Sequence, residues 1–115
     1  MAWMILQHYI LILKNEKELE KLSQTDQLTK LYNRHKLHQV FASEINRSDR
    51  FEEIFGIILL DIDLFKNVND TYGHNIGDLV LKEISNILKD NIRVSDTLGR
   101  WGGEEFLIII PQINI

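Results

Sequence analysis

The sequence predicts an α+β fold, a largely antiparallel sheet with flanking helices, preceded by a long N-terminal helix. Three stretches carry that expectation. Phe55-Gly56-Ile57-Ile58-Leu59-Leu60 is a short apolar run of the kind a fully covered central strand shows, and it ends in Asp61-Ile62-Asp63. Ile76, Leu79, Val80, Ile84, Ile87 and Leu88 give the cleanest helical stripe in the chain. Arg100-Trp101-Gly102-Gly103-Glu104-Glu105-Phe106 places two glycines and two carboxylates between apolar segments. Adjacent glycines take positive φ without a Cβ clash, so Gly102-Gly103 reads as the tip of a two-residue hairpin.

Taken in order, Met1 to Leu13 is strongly apolar and is followed by the charged run from Lys14 to Glu18. The apolar part falls short of the ~20 residues that cross a bilayer, and it lacks the basic start of a signal peptide. It reads as the tail of a transmembrane helix, as a helix packed on a partner chain, or as a core helix. Ile5, Ile12, Leu19 and Leu22 are spaced like an imperfect heptad seam. Ser23-Gln24-Thr25-Asp26 offers oxygens that stop one helix and cap another. Leu37, Val40, Phe41 and Ile45 predict an amphipathic helix from Asn33 to Arg47, broken by Ser48-Asp49-Arg50. A short helix is expected over 64–70, a polar glycine-bearing loop over 71–77, and a second helix over 76–91. Thr97 to Trp101 and Phe106 to Ile110 are the hairpin strands, the second stopped by Pro111.

With 115 residues the chain holds one domain at most. Its 13 basic and 17 acidic residues give a net charge of −4, which argues against nucleic acid as a partner, since phosphate neutralisation needs a basic face. A single anionic nucleotide is compatible, because a metal ion supplies positive charge locally. There is no cysteine, hence no disulfide framework and no thiolate zinc site.

If the end of the Phe55–Leu60 strand lies beside the hairpin tip, Asp61 and Glu104 can share one hard cation, Mg²⁺ or Mn²⁺. Phe65-Lys66 follows the acidic strand end where a helix would begin, so exposed backbone N–H groups and the Lys66 ammonium could hold phosphate oxygens. Glycines at 73 and 77 suit tight turns, whereas Gly102 and Gly103 would let a nucleotide approach the hairpin.

Gly102-Gly103-Glu104-Glu105-Phe106 resembles the GGEEF form of the GGDEF motif of diguanylate cyclases. Four further stretches resemble the same family in order: Asp26 to Arg34, Asp61 to Asp70, Gly73 to Asp78, and Arg93-Val94-Ser95-Asp96 in RxxD form. The resemblance covers residues 24 to 112 and implies the palm-like βαββαβ arrangement, ferredoxin-like and shared with nucleotidyl cyclases. It implies residues 1–24 as a linker helix and 25–115 as the N-terminal portion of the domain, with family elements continuing past residue 115. It implies condensation of two GTP into cyclic di-GMP and two pyrophosphates by a homodimer, with Asp61, Glu104 and Glu105 catalytic. The Ile62 carbonyl would join Asp61 and Glu104 on the metal, and Glu105 would act on a second ion or on the attacking hydroxyl. Asn69 and Asp78 would read the guanine edge, and Arg93 and Asp96 would form a product-inhibition site. Asp26, Asn33 and Arg34 would fix the linker helix to the domain. Such cyclases are driven by dimerising input modules, so a sensor or membrane segment upstream, at the inner face of the cell membrane, is the expected setting of a cytoplasmic domain. A catalytically silent GTP or cyclic di-GMP sensor is the alternative.

Overall fold

The run Phe106–Ile110 becomes the middle strand of the sheet because both of its faces find cover. The structure, a computed structural model, describes residues 2–113. Met1 and residues 114–115 lie outside the described residues, as do the side chains of residues 20–22, including the Leu22 position of the expected heptad. The element order is α1 (Ala2–Leu22), α2 (Arg34–Phe51), β1 (Gly56–Asp61), α3 (Phe65–Tyr72), α4 (His74–Asp90), β2 (Thr97–Arg100) and β3 (Glu105–Ile110). The three strands are antiparallel in the order β1-β3-β2. Along β3, Phe106 and Ile108 join Leu81 and Phe65 on the α3–α4 side, while Leu107 and Ile109 join Leu37 on the α2 side. That alternation is the period of two that a strand imposes, and burying each such side chain stabilises the fold by roughly 1.5–3 kcal/mol.

The apolar run of β1 was expected to be a fully covered central strand; among the described residues it lies at the edge of the three-stranded sheet. Ile57, Ile58 and Leu59 are 44%, 42% and 57% exposed. An apolar run reports what a strand is suited to bury, and among the described residues only β3 pairs with it.

α2 is set at its start by Asn33, whose side chain accepts the Lys36 N–H at 2.9 Å. It runs through Ser48-Asp49-Arg50, where a break was expected, and stops at Glu52 in the left-handed region (φ 53). Single polar residues weaken a helix only mildly, and the Ser48 hydroxyl donates to Glu53 O beyond the helix end, so the three do not break it. Leu37 is fully buried and lies over Gly99, where an added Cβ would come within 2.6 Å of the leucine Cγ.

The expected loop over 71–77 is a single residue. Gly73 (φ 89, ψ 165) separates α3 from α4, and residues 74–77 already belong to the first turns of α4. Gly77 is therefore a helical residue, buried against α3, and not a turn glycine.

α1 carries its apolar residues from Trp3 to Leu13 exposed, with nothing among the described residues covering them. Among the described residues, no helix is long and apolar enough to cross a membrane. Residues 23–33 tie α1 to the rest: the Asn33 side chain donates to Ser23 O at 3.0 Å, Asn33 N donates to Gln24 O at 2.9 Å, and Arg100 N donates to Tyr32 O at 2.9 Å.

Candidate functional site

The β1–β3 register pairs Asp61 with Glu105, and the pairing continues one step further, where the Ile62 N–H donates to Glu104 O at 3.1 Å. The end of β1 is thereby held against the loop that precedes β3. Asp61, Ile62 and Glu104 line one open cleft with Asp63, Leu64, Phe65, Lys66 and Asn67. Its volume of about 540 Å³ lies in the range of small-molecule sites. Five of the sequence-derived residues thus meet there: Asp61, Ile62, Glu104, Phe65 and Lys66.

Two carboxylates and a main-chain oxygen are hard donors. They suit Mg²⁺, which keeps part of its water shell and is completed by phosphate oxygens, so a set too small for a closed protein cage fits this ion. No group of three or more histidine or acidic residues among the described residues is arranged to hold a metal.

Beside the carboxylates, α3 begins at Phe65 after Leu64, which sits in the left-handed region (φ 58) and provides no side-chain cap. The first N–H groups of α3 therefore lack a side-chain acceptor, and the dipole end favours an anion. The Phe65 side chain is itself core, so only its backbone faces this role. Lys66 is exposed at the cleft.

The glycine pair does not form the expected two-residue tip. Trp101 N and Gly102 N both donate to Glu105 O, at 2.8 and 3.3 Å, leaving residues 102–104 as the loop. Among the described glycines only Gly73 has positive φ. An added Cβ at Gly103 would meet nothing within 4 Å, and at Gly102 only ordinary contacts with Glu105. Neither backbone strain nor internal crowding requires glycine here, and what remains is bare approach from outside the chain.

Arg100 is the residue the sequence reading left without a role. Its guanidinium donates to Gly102 O and Gly103 O at 2.8 to 3.3 Å and pairs with Asp26 at 3.2 Å. Asp26 also accepts the Thr29 N–H and hydroxyl at 2.9 and 2.8 Å. Burial pushes the Asp26 carboxyl up, but the two Thr29 bonds and the Arg100 charge outweigh it and hold the group below its ordinary value. One arginine thus locks the glycine loop to the turn after α1. The two partners are 74 positions apart, and no local pattern announces such a pair. Arg34 lies over the Trp101 ring at 4.2 Å from its centroid, a second tie between the start of α2 and this loop.

Asn69 and Asp78 stand on α3 and α4 and do not line the cleft with Asp61. Asp78 is the fifth residue of α4 and lies past its first turn, where the helix dipole would have explained a carboxylate. Arg93 and Asp96 are brought together in the connector after α4: Arg93 N donates to Asp96 Oδ2 at 2.9 Å. The Asp96 side chain is 7% exposed and its Oδ1 accepts no hydrogen bond, with the Arg93 guanidinium 3.6 Å away and 69% exposed. A buried acceptor left open in this way is costly and rare.

The chain is thus an α+β domain in which an open cleft holds two carboxylates beside an uncapped helix start on an antiparallel sheet. Residues 23–115 match the family described as "Diguanylate cyclase, GGDEF domain". The diguanylate cyclase DosC of Escherichia coli (strain K12) is 42% identical over 89 residues, covering 77% of this chain and 19% of DosC. Diguanylate cyclase SiaD, solved in complex with its activator SiaC from Pseudomonas aeruginosa, superposes with a TM-score of 0.78 at 38% identity, covering 99% of this chain and 44% of that one. The GGDEF domain of DgcB from Caulobacter crescentus, solved in complex with cyclic di-GMP, gives 0.77 at 32% identity, over 80% of this chain and 54% of that one. The chain belongs to the GGDEF diguanylate cyclase family. It spans about a fifth of the length of a curated relative such as DosC.

Proposed function

We propose that this chain is the GTP-binding portion of a diguanylate cyclase that condenses two GTP into cyclic di-GMP and two pyrophosphates. The observation that carries the reading is the single cleft shared by Asp61, Ile62 and Glu104 with the uncapped start of α3 and Lys66. Asp61, the Ile62 carbonyl and Glu104 would hold Mg²⁺ or Mn²⁺, which when bound neutralises the triphosphate and lowers the pKa of the attacking hydroxyl. The N–H groups at Phe65 and Lys66, with the lysine ammonium, hold phosphate oxygens. Gly102 and Gly103 let the nucleotide lie close over the loop, and Glu105 takes the 3′-hydroxyl or a second ion. Asn69 and Asp78 match the guanine edge, where an amide and a carboxylate complement O6, N1–H and the 2-amino group and mismatch adenine.

One domain holds one GTP, so the reaction needs two subunits facing each other, each 3′-hydroxyl attacking the other's α-phosphate in line. Support for a homodimer is the exposed apolar surface of α1, which nothing among the described residues covers. Residues 1–24 act as the linker that sets the dimer and 25–115 as the domain, in a cytoplasmic setting at the inner face of the membrane or behind a sensor. Product inhibition falls to Arg93 and Asp96, where the exposed Arg93 guanidinium can stack on guanine and reach phosphate.

The test is incubation of the full-length dimer with GTP and Mg²⁺. Cyclic di-GMP is expected from the wild type and none from Glu104→Gln, whose circular dichroism stays that of the wild type. Bound GTP without product in the wild type would establish the silent sensor, and equal turnover of ATP would overturn the guanine assignment.

A further inference from the structure

We propose that Gly77 is a positioning residue for base recognition, its missing side chain providing the seat on which the Asn69 carboxamide rests. The proposal deepens the reading of Asn69 as a guanine contact and rests on it. α3 and α4 are joined by Gly73 alone, so the fourth residue of α4 comes back against the second turn of α3. A Cβ built at Gly77 would overlap Asn69 Oδ1, lie 2.9 Å from Asn69 Cγ and 3.4 Å from Phe65 Cζ. The atoms taking the glycine's space are thus chiefly those of an amide and not of the hydrocarbon core.

Glycine is not there for its backbone freedom, since Gly77 has no positive φ and sits inside a helix, where it costs about 1 kcal/mol against alanine. Nor is Asn69 spent on a structural bond. Its carbonyl accepts the Gly73 N–H at 2.8 Å, while its side-chain amide takes no hydrogen bond among the described residues. With its oxygen seated against Gly77, the amide leaves its NH₂ donors for a ligand acceptor such as guanine O6. Asp78, the other base-reading residue, is exposed and follows Gly77 directly in the chain. The point where the two helices touch therefore fixes both side chains relative to each other.

The test compares binding of GTP, ATP and inorganic tripolyphosphate, each with Mg²⁺, to the dimeric wild type and to Gly77→Ala. GTP is expected to bind roughly tenfold more weakly to the variant, because a displaced amide leaves the base edge unpaired. ATP and tripolyphosphate should bind within about twofold of wild type, since their phosphates meet residues of another region. A variant that keeps the wild-type preference for GTP overturns the proposal, and so does one that loses all three ligands together. A wild type without any preference for GTP overturns the reading beneath it. Should Gly77→Ala unfold, the Asn69→Ala background decides. There, alanine at 77 should leave the unfolding midpoint unchanged or raise it, and a fall as large as in the parent chain refutes the seat.

Discussion

Removing the Arg100 guanidinium tests how the glycine loop is held. Arg100→Ala deletes contacts to two loop carbonyls and the pair with Asp26, with side chains 19% and 22% exposed. Hydrogen bonds to charged groups are worth about 1.5–3 kcal/mol each in single deletions, but these share one side chain and do not add. Breaking a fully buried pair costs roughly 3–5 kcal/mol, and the residual exposure here scales that down. Asp26 also keeps its two Thr29 bonds. The expected loss is ~2 kcal/mol, a fall in melting temperature of roughly 8 °C for a domain of this size. Arg100→Lys keeps the charge without the fork and should recover part of it. The penalty also has a pH signature. Asp26 lies below its ordinary 3.8 in the folded state, so its ionisation stabilises above that value and the contribution is lost as pH falls through the lowered pKa. Urea midpoints of wild type and Arg100→Ala should differ by a constant amount from about pH 8 to about pH 5, and the difference should shrink without vanishing below about pH 4, because the bonds to the two loop carbonyls do not titrate. A penalty under roughly 0.5 kcal/mol, or one that persists undiminished into acid, would refute the clamp.

Gly99→Ala presses a methyl to within 2.6 Å of Leu37, which is fully buried and cannot swing into solvent, so a loss of about 1–3 kcal/mol is expected in urea unfolding. An unchanged midpoint would show that α2 can move off the sheet freely. Arg93→Ala should relieve inhibition of cyclic di-GMP synthesis by added product, and undiminished inhibition would remove Arg93 and Asp96 from that role.

Much of the fold was legible because burial leaves a period. The stripe from Ile76 to Leu88 became α4, and the runs flanking Gly102-Gly103 became β2 and β3. What stayed hidden has a common cause: local pattern does not report who the neighbours are. The apolar run of β1 looks central, yet its coverage depends on strands and helices elsewhere. Residues 71–77 look like a loop because the start of α4 holds His74, Asn75 and a glycine and follows another glycine, whereas Gly73 alone turns the chain and Gly77 answers to Asn69 on another helix. Asp61 and Glu104 were expected side by side from a strand end meeting a turn, and Lys66 from the helix start that follows, and all three line one cleft. The Arg100–Asp26 pair was not, although an arginine directly before Trp101-Gly102-Gly103 and an aspartate three residues before Thr29 were both visible.

The most direct measurement is a crystal structure of the protein with a non-hydrolysable GTP analogue and Mn²⁺, with the ion located by its anomalous signal. The account predicts the ion within coordination distance of Asp61, the Ile62 carbonyl and Glu104, bridging to the triphosphate at the start of α3. An ion and nucleotide bound elsewhere, with those carboxylates touching neither, would contradict it.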